Sequence, residues 1–222
     1  MKPFAPKNDF IKESVKALDE LYDKIHQLES FSIDQFNPAE TMAVVVDMNK
    51  GFAQEGALYS ERAKDLIAPI ADFVDACIAR RFHILAFSDR HSPGSPEIDS
   101  YPAHCMQDTP ECELVDELSR LRPFTVYKNS TNAFFSGKEQ LFKEPVKDYI
   151  LTGCCTDICI YQFSTTLRAW LNEHNLPGRV VVPLSLVDTY DAPWHNAQLL
   201  SAVFIESMLS NGILVVKDIR LQ

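Results

Sequence analysis

Short runs of β-branched and aromatic residues alternate with longer segments of helical periodicity along most of this chain. The runs predict strands at 42–47, 83–88, 124–128, 148–153, 179–184 and 213–217. The segments between them predict helices at about 60–81, 112–120, 156–174 and 195–210. Because strand runs such as VVV and ILAF are apolar on both faces, we expect helices to cover both sides of the sheet. The alternation therefore predicts an α/β fold with a parallel sheet.

The first forty residues lie outside this alternating pattern. Apolar residues between 9 and 28 form one stripe at helical spacing, and Asn8 or Asp9 is suited to cap that helix. The segment FSIDQFNPAE then ends the helix before the first strand. We therefore expect a helical extension over residues 1–40, followed by one domain over 41–222. The extension either packs on this domain or is lent to a partner subunit.

Charge and cysteine usage exclude several classes of protein. A formal net charge of −10 over 222 residues disfavours non-specific binding to nucleic acid or to an anionic membrane. The sequence contains no apolar run of the roughly 18 residues that span a bilayer, and the N-terminus lacks the pattern of a signal peptide. Six cysteines, two of them adjacent, are not a disulfide framework at this length, so we expect a reducing, cytoplasmic location.

Three predicted strands end on residues with complementary chemistry. Asp47 follows VVV, Lys128 follows TVY, and Cys159 follows LTGCCTDI. In an open α/β sheet, sites form at the carboxyl ends of strands, where the strand order reverses. A carboxylate, an ammonium and a thiol at such a place are the groups that a thiol-based hydrolase needs.

Each of the three residues has a possible role in that chemistry and an ordinary structural alternative. Cys159 lies in the first turn of a predicted helix, where free amides and the helix dipole favour a thiolate and stabilise an oxyanion. Asp47 can accept the thiol proton and return it to a leaving amine, while Lys128 holds that carboxylate ionised. The alternatives are a structural cysteine, a strand-end aspartate that caps a turn, and a solvated surface lysine.

The segment 89–111 contains a candidate metal site. Asp89 and His91 are two residues apart on an extended stretch and so point the same way, and the loop can return His104 to meet them. Three protein ligands with open positions are typical of a catalytic ion, and Glu97 is a possible fourth ligand. Such ligands fit Zn, Fe or Mn. A hydrogen-bonded histidine in a turn is the structural alternative.

Aromatic residues flank these motifs and suit a flat heteroaromatic substrate. The candidates for substrate binding are Phe52, Tyr101 and Phe135. Aromatic residues are also common in protein cores, which is the alternative for each of them.

Taken together, the motifs resemble those of the isochorismatase-like cysteine hydrolases, and within that superfamily the nicotinamidases. The resemblance covers about 42–216 and rests on five segments: VVVDMNKGFAQEGAL, FSDRH…YPAHC, VYKNSTNAFFSG, LTGCCTDICI and VDTYDAPWHNAQLL. The sequence departs from the family pattern at two places that border the pocket. Asn49 replaces a common glutamine, and Lys50-Gly51 replace a more usual Asn-Asp. The N-terminal extension is not part of the common core.

The resemblance implies a three-layer αβα fold with a six-stranded parallel sheet in the order 3-2-1-4-5-6. It implies Cys159 as nucleophile, Asp47 as proton shuttle and Lys128 as the third, charged member. The peptide between Cys154 and Cys155 would be cis, and the amides of Cys155 and Cys159 would bind the oxyanion.

For the other site residues, the resemblance implies a divalent ion held by Asp89, His91 and His104, which would bind the ring nitrogen of nicotinamide. Phe52 and Tyr101 occupy the positions of the family's stacking aromatics, and family members commonly form homo-oligomers.

These points predict a metal-assisted cysteine amidohydrolase that converts nicotinamide into nicotinate and ammonia through a thioester. The first alternative is another small-amide hydrolase of the superfamily without a metal. A second is a binding or scaffold protein that uses the N-terminal helix. A thiol redox protein fits less well because no C-x-x-C pair is present, and a vinyl-ether hydrolase would leave Cys159 with little purpose.

Overall fold

A computed structural model describes residues 4–222, and residues 1–3 of the predicted extension lie outside the described part. Its main sheet is entirely parallel and follows the order β4-β3-β2-β5-β6-β8. The strands are β1 Ser30–Ser32, β2 Thr41–Val46, β3 His83–Asp89, β4 Phe124–Lys128, β5 Asp148–Cys154, β6 Arg179–Pro183, β7 Val187–Asp188, β8 Leu214–Val216 and β9 Asp218–Arg220. The six predicted strands are therefore confirmed in their predicted order. The unpredicted β7 is a seventh strand and pairs with the end of β5.

Helices cover both faces of this sheet, as the apolar strand runs predict. The helices are α1 Lys7–His26, α2 Lys50–Ala53, α3 Glu61–Asp65, α4 Ile67–Ala79, α5 Asp116–Ser119, α6 Phe134–Leu141, α7 Tyr161–Glu173 and α8 Ala197–Ser210. Along β2, Ala43 and Val45 face the core layer of α4, whereas Val44 and Val46 face the layer of α7 and α8. Because successive side chains of a strand point to opposite faces of the sheet, β2 contributes residues to two apolar cores.

Two long predicted helices are interrupted, for local reasons, and of the segment predicted at 112–120 only α5 is α-helical. The segment predicted at 60–81 forms α3 and α4 with a break at Leu66. Pro69 has no amide hydrogen for the carbonyl of Asp65, so one continuous helix would leave that carbonyl without its bond. The segment predicted at 156–174 begins as a π-helical turn, Thr156–Ile160, before α7 starts. Short π-helical segments of this kind are frequent at functional sites.

The predicted N-terminal helix is present, although its start differs from the prediction. The helix α1 begins two residues earlier than predicted, and Pro6 rather than Asn8 or Asp9 precedes it. After α1 the chain forms β1, which pairs in parallel with β9 near the C-terminus. Ile33 and Phe36 then enter the core beside α4. The second half of the extension is thus part of the packed domain, whereas α1 itself contains no buried residue.

No helix in the described part of the chain combines the length and the apolar character needed to cross a membrane.

Gly153 in β5 allows the two central strands to approach closely before the site. Its φ is +115°, and a Cβ atom there would lie 1.9 Å from the carbonyl oxygen of Val46 on β2. We expect Gly153→Ala to lower the free energy of unfolding by about 4 kcal/mol or more, because backbone atoms cannot move aside cheaply. Urea denaturation measures this change.

Gly212→Ala is the matched control, because Gly212 has a φ of +79° but its nearest neighbour would be 3.9 Å away. It should lose only about 1 to 2 kcal/mol, the cost of the left-handed conformation. Equal losses in the two variants would contradict the steric explanation.

Candidate active site

The carboxyl ends of β2, β3, β4 and β5 gather their terminal residues at one edge of the sheet. Asp47 directly follows β2, Asp89 and Lys128 end β3 and β4, and the turn after β5 carries Cys159. The strand order reverses between β2 and β5, which is where open α/β sheets form their sites. The sheet topology therefore brings Asp47, Lys128 and Cys159 together, as the sequence predicts.

Lys128 lies between two buried carboxylates. Its Nζ atom is 2.8 Å from Asp47 Oδ2 and donates a hydrogen bond of 2.5 Å to Asp89 Oδ1. It also donates to the carbonyl of Ser130 at 3.2 Å. Burial lowers the pKa of the Lys128 ammonium, but the charges of Asp47 and Asp89 outweigh burial and hold it well above the usual value. Lys128 is therefore a buried, positively charged residue behind the cavity lining.

The charge of Lys128 lowers the pKa of both carboxyl groups, but their net pKa shifts have opposite directions. Burial, followed by repulsion from Asp89, raises the pKa of Asp47 to about 7, although Lys128 opposes the change. Burial also raises the pKa of Asp89, but Lys128 and His91 outweigh it and lower the pKa overall. Asp89 is thus the ionised partner of Lys128, and Asp47 can gain or lose a proton near neutral pH.

Asp47 has spare hydrogen-bonding capacity. Its Oδ2 atom lies 2.8 Å from the Lys128 ammonium, whereas its buried Oδ1 atom accepts no hydrogen bond from the Lys128 side chain or from the backbone of the described residues. The backbone of Asp47 adopts a φ of 54°, so the chain turns sharply where the strand ends. A buried carboxylate with open acceptor positions is unusual in a purely structural role.

The sulfur of Cys159 lies within 4.8 Å of carboxylate oxygens of Asp47 and Asp89. Burial raises the pKa of the Cys159 thiol well above its usual value, Lys128 lowers it, and the two carboxylates raise it again. This shift opposes the thiolate that the start of a helix is expected to favour. Cys159 lies in a π-helical turn, its thiol is neutral, and its proton must leave with the help of a base.

The two cysteines at the end of β5 have different surroundings. The peptide between Cys154 and Cys155 is cis, as the resemblance implies. Cys154 is buried and donates from its sulfur to the carbonyl of Asp47 at 3.1 Å. The carbonyl of Cys155 accepts hydrogen bonds from the amides of Ile158 and Ile160, which wraps the π-helical turn around it. The oxyanion role of the Cys155 and Cys159 amides stays a prediction.

The four predicted metal ligands form one cluster. Asp89, His91, Glu97 and His104 each offer a ligand atom, and these atoms lie within 4.8 Å of one another. Glu97 also accepts hydrogen bonds from the amide and the hydroxyl of Thr131, at 3.0 and 2.9 Å. These bonds fix the Glu97 carboxylate beside the other three groups.

The two histidines fit a cation. His104 Nδ1 is 2.7 Å from the carbonyl of Pro102, so this nitrogen carries the hydrogen and Nε2 presents a lone pair. His91 Nε2 lies 3.2 Å from His104 Nε2, while the buried His91 Nδ1 has no partner among the described residues. A cation between the two Nε2 atoms would satisfy both lone pairs and let His91 Nδ1 carry the hydrogen.

A cavity of about 800 Å³ opens onto both groups of residues. Its lining includes two predicted aromatic residues, ligands of the histidine cluster and the candidate nucleophile: Phe52, Tyr101, Asp89, Glu97, His104, Cys155 and Cys159. The rings of Phe52 and Tyr101 lie 5.5 and 6.1 Å from that of His104. The prediction for Phe135 needs correction, because its side chain on α6 is 75% exposed and does not line the cavity. Its neighbour Phe134 is the buried member of the pair.

Two further aromatic residues of the cavity lining were not predicted. They are Tyr190 and Trp194, from the segment between β7 and α8. His195 in this segment is buried, stacks on Tyr190 at 3.8 Å, and lies 2.9 Å from Asp157 in the π-helical turn. The segment TYDAPWHN has turn-forming residues but no periodicity, and its only sequence signal is its resemblance to a family motif.

The two departures from the family pattern do not disturb the charged groups. Asn49 is buried and donates to the carbonyl of Asp89 at 2.9 Å, so it ties the end of β2 to the end of β3. Lys50 forms an ion pair with Asp116 at 2.7 Å and is not part of the cavity lining.

Comparison with known proteins supports this description. The family model for the isochorismatase domain matches residues 41–208. The chain belongs to the isochorismatase family. It is 30% identical over 176 residues to Nicotinamidase 1 of Arabidopsis thaliana, a match that covers 70% of this chain and 72% of that protein. The predicted family and the predicted enzyme class, a hydrolase, are confirmed.

Solved structures of other family members share this fold. The nicotinamidase/pyrazinamidase of Bacillus subtilis superposes with a TM-score of 0.69 at 22% identity, covering 80% of this chain and 100% of that chain. The pyrazinamidase of Pyrococcus horikoshii, solved in complex with zinc, superposes with a TM-score of 0.61 at 21% identity, covering 80% and 98%. At these identities the likeness establishes the isochorismatase-like fold.

The charge balance at the site predicts a strong effect of Lys128 on stability. Lys128→Met would leave the buried carboxylates of Asp47 and Asp89 without their cation, which we expect to cost about 3–5 kcal/mol in the free energy of unfolding. Chemical denaturation near pH 7 measures the loss.

Lys147→Met is the matched control, because Lys147 makes an ion pair with Glu40 but its side chain is half-exposed. A surface pair contributes only about 0–1 kcal/mol. A loss of that small size in Lys128→Met as well would contradict the proposed charge balance.

Proposed function

We propose that this chain is a nicotinamidase, which hydrolyses nicotinamide to nicotinate and ammonia. The observation that carries this proposal is one cavity lined by the buried thiol of Cys159 and by Asp89 and His104 of the ligand cluster, with the Asp47 carboxylate within 4.8 Å of that sulfur. The thiol and carboxylate suit cleavage of an amide bond, and the cluster suits recognition of a ring nitrogen. The similarity to an Arabidopsis nicotinamidase supports this substrate class.

In the first half of the reaction, Cys159 acts as the nucleophile. Asp47 accepts the thiol proton as the sulfur forms a bond to the carboxamide carbon. The C–N bond then breaks, and Asp47 returns that proton to the departing nitrogen, so that ammonia leaves and a thioester remains. Because burial raises the pKa of Asp47 to about 7, its carboxyl group can both take and give a proton near neutral pH.

In the second half, water cleaves the thioester. Asp47 takes a proton from the water as its oxygen bonds to the acyl carbon, the S–C bond breaks, and the proton returns to the Cys159 sulfur. Nicotinic acid leaves and loses its carboxyl proton to solvent to become nicotinate, and the resting thiol is restored. The ammonium of Lys128 supports both halves because it holds Asp47 in place and stabilises its ionised form. The amides of Cys155 and Cys159 are the proposed donors to the oxyanion.

Asp89, His91 and His104 would hold a divalent ion, and Glu97 is the candidate for a further ligand. The bound ion would supply a Lewis acid that binds the pyridine nitrogen and fixes the position of the ring. The opposed Nε2 atoms of His91 and His104 support this assignment. The zinc complex of the Pyrococcus horikoshii pyrazinamidase supports the same class of ion. Phe52 and Tyr101 then bound the space for the flat ring.

The nucleophile is tested with Cys159→Ala. We expect ammonia release from nicotinamide to fall by about 10⁴-fold or more, because the proposed thioester forms on the Cys159 sulfur. Ammonia release is measured for the variant and the unmodified protein, while circular dichroism checks that the fold is retained.

Cys77→Ala provides the control, since Cys77 is buried in the core beside α4 and away from the cavity lining. It should release ammonia within about twofold of the unmodified protein, as a core change does not alter the groups that react. Comparable activity in Cys159→Ala would refute the nucleophile. Activity of the unmodified protein on aliphatic amides but not on nicotinamide would refute the substrate.

The ion site is tested with His104→Ala by zinc titration of the purified protein. The unmodified chain should bind zinc in a one-to-one ratio, and loss of one ligand should weaken binding by about 100-fold or more. Chelation should raise the KM for nicotinamide if the ion positions the ring. His174→Ala is the control, because His174 is exposed at the end of α7 and should leave zinc binding unchanged. Ammonia release that is indifferent to chelation would instead favour a metal-free hydrolase of the same family.

A further inference from the structure

The N-terminal helix α1 carries a row of exposed apolar residues that the catalytic site does not use. Ile11, Val15, Leu18 and Tyr22 are 47%, 63%, 37% and 62% exposed. Their spacings of four, three and four residues are those of a coiled-coil seam. Ile25 continues the same spacing and packs partly against the domain. A solvated surface helix has no need of such a seam.

We propose that α1 pairs with α1 of a second copy of this chain as a short antiparallel coiled coil. In this arrangement Val15 lies opposite the partner subunit's Leu18, and Ile11 lies opposite the partner subunit's Tyr22. The two-fold axis repeats both contacts, so four apolar layers bury the whole exposed row. A two-fold axis is the commonest symmetry of soluble dimers and brings the same patch of both copies together.

Charges beside the seam specify the antiparallel direction. Lys12 and Asp19 each follow a seam residue directly and occupy equivalent flanking positions, one heptad apart. Antiparallel pairing brings Lys12 to within about 3 Å along the helix axis of the partner subunit's Asp19. In a parallel pair opposite flanks would face each other, so Lys12 would lie beside the partner subunit's Lys7 and Asp19 beside the partner subunit's uncharged Ser14. In the antiparallel pair the other flank brings together Ser14 and Leu21, which are uncharged.

The C-terminal end of α1 holds the helix on the domain and leaves its seam outward. Leu28 and Ile25 pack partly against the core, and Lys24 forms an ion pair of 2.6 Å with Glu206 on α8. On α8, Leu199 and Val203 lie on the same helical stripe as Glu206 and are also exposed. The domain thus presents further apolar surface beside α1, which a second copy can cover.

The length of α1 sets the expected strength of this contact. Its 20 residues span about 30 Å. A seam of two heptads is a small interface compared with the roughly 1,200–2,000 Å² of stable complexes. We therefore expect a dimer that dissociates on dilution.

Sedimentation velocity of the full chain at several concentrations tests the proposal. The unmodified protein should change from monomer to dimer as concentration rises. Val15→Glu together with Leu18→Glu should abolish the dimer, because four like charges would enter the seam. Circular dichroism and ammonia release should stay unchanged, as α1 is not part of the cavity lining. A protein that is monomeric at every concentration, or a dimer that survives this double substitution, would overturn the proposal.

A charge exchange tests the direction of pairing. Lys12→Glu alone should raise the dissociation constant roughly tenfold, because two attractive contacts become repulsive. Adding Asp19→Lys to the same chain should restore the original value. Lys16→Glu is the matched control, since Lys16 is exposed on the side of α1 away from the seam and carries the same change of charge. If the double exchange weakens the dimer further, or if Lys16→Glu weakens it as much as Lys12→Glu does, antiparallel pairing is excluded.

Discussion

A single buried ammonium group sets the electrostatics of the site. Lys128 contacts Asp47 and Asp89 at the ends of three adjacent strands, and all three side chains are almost completely excluded from water. Two carboxylates so close together in an apolar sheet would repel each other and would not both ionise. The cation offsets this repulsion and leaves one net negative charge. The parallel sheet makes the arrangement possible, because β2, β3 and β4 deliver their last residues to the same edge.

Because the site has an excess negative charge, the two carboxyl groups have different pKa values. Asp89 has the shorter contact with Lys128 and a further interaction with His91, so its pKa falls. Asp47 has open acceptor positions and a pKa of about 7, and it lies beside the thiol of Cys159. The thiol is neutral for the same reason that Asp47 is basic: both groups lie in a buried site that already contains negative charge. An acid–base pair matched in this way can exchange one proton with little change in net charge.

The sequence predicted those features that depend on strand ends and missed those that depend on turn geometry. Asp47, Lys128 and Cys159 follow apolar runs, so the parallel topology alone implies that they meet. Phe135 shows the limit of this reasoning, because a shift of one helical position decides whether an aromatic ring is buried or exposed. The contact between Asp157 and His195 was also missed. It joins two turns that are 38 residues apart, and neither turn has a periodic pattern.

Asp89 connects the two halves of the site. One of its oxygens accepts from Lys128, and the other lies 3.7 Å from His91 in the ligand cluster. Any cation held by that cluster would therefore draw electron density from the same carboxylate that neutralises Lys128. Weaker pairing of Asp89 with Lys128 leaves more of the ammonium charge for Asp47, whose ionised form is then favoured. In the proposed reaction, a cation at the histidines and proton transfer at Asp47 would thus be coupled through one buried side chain, Asp89, which contacts both groups.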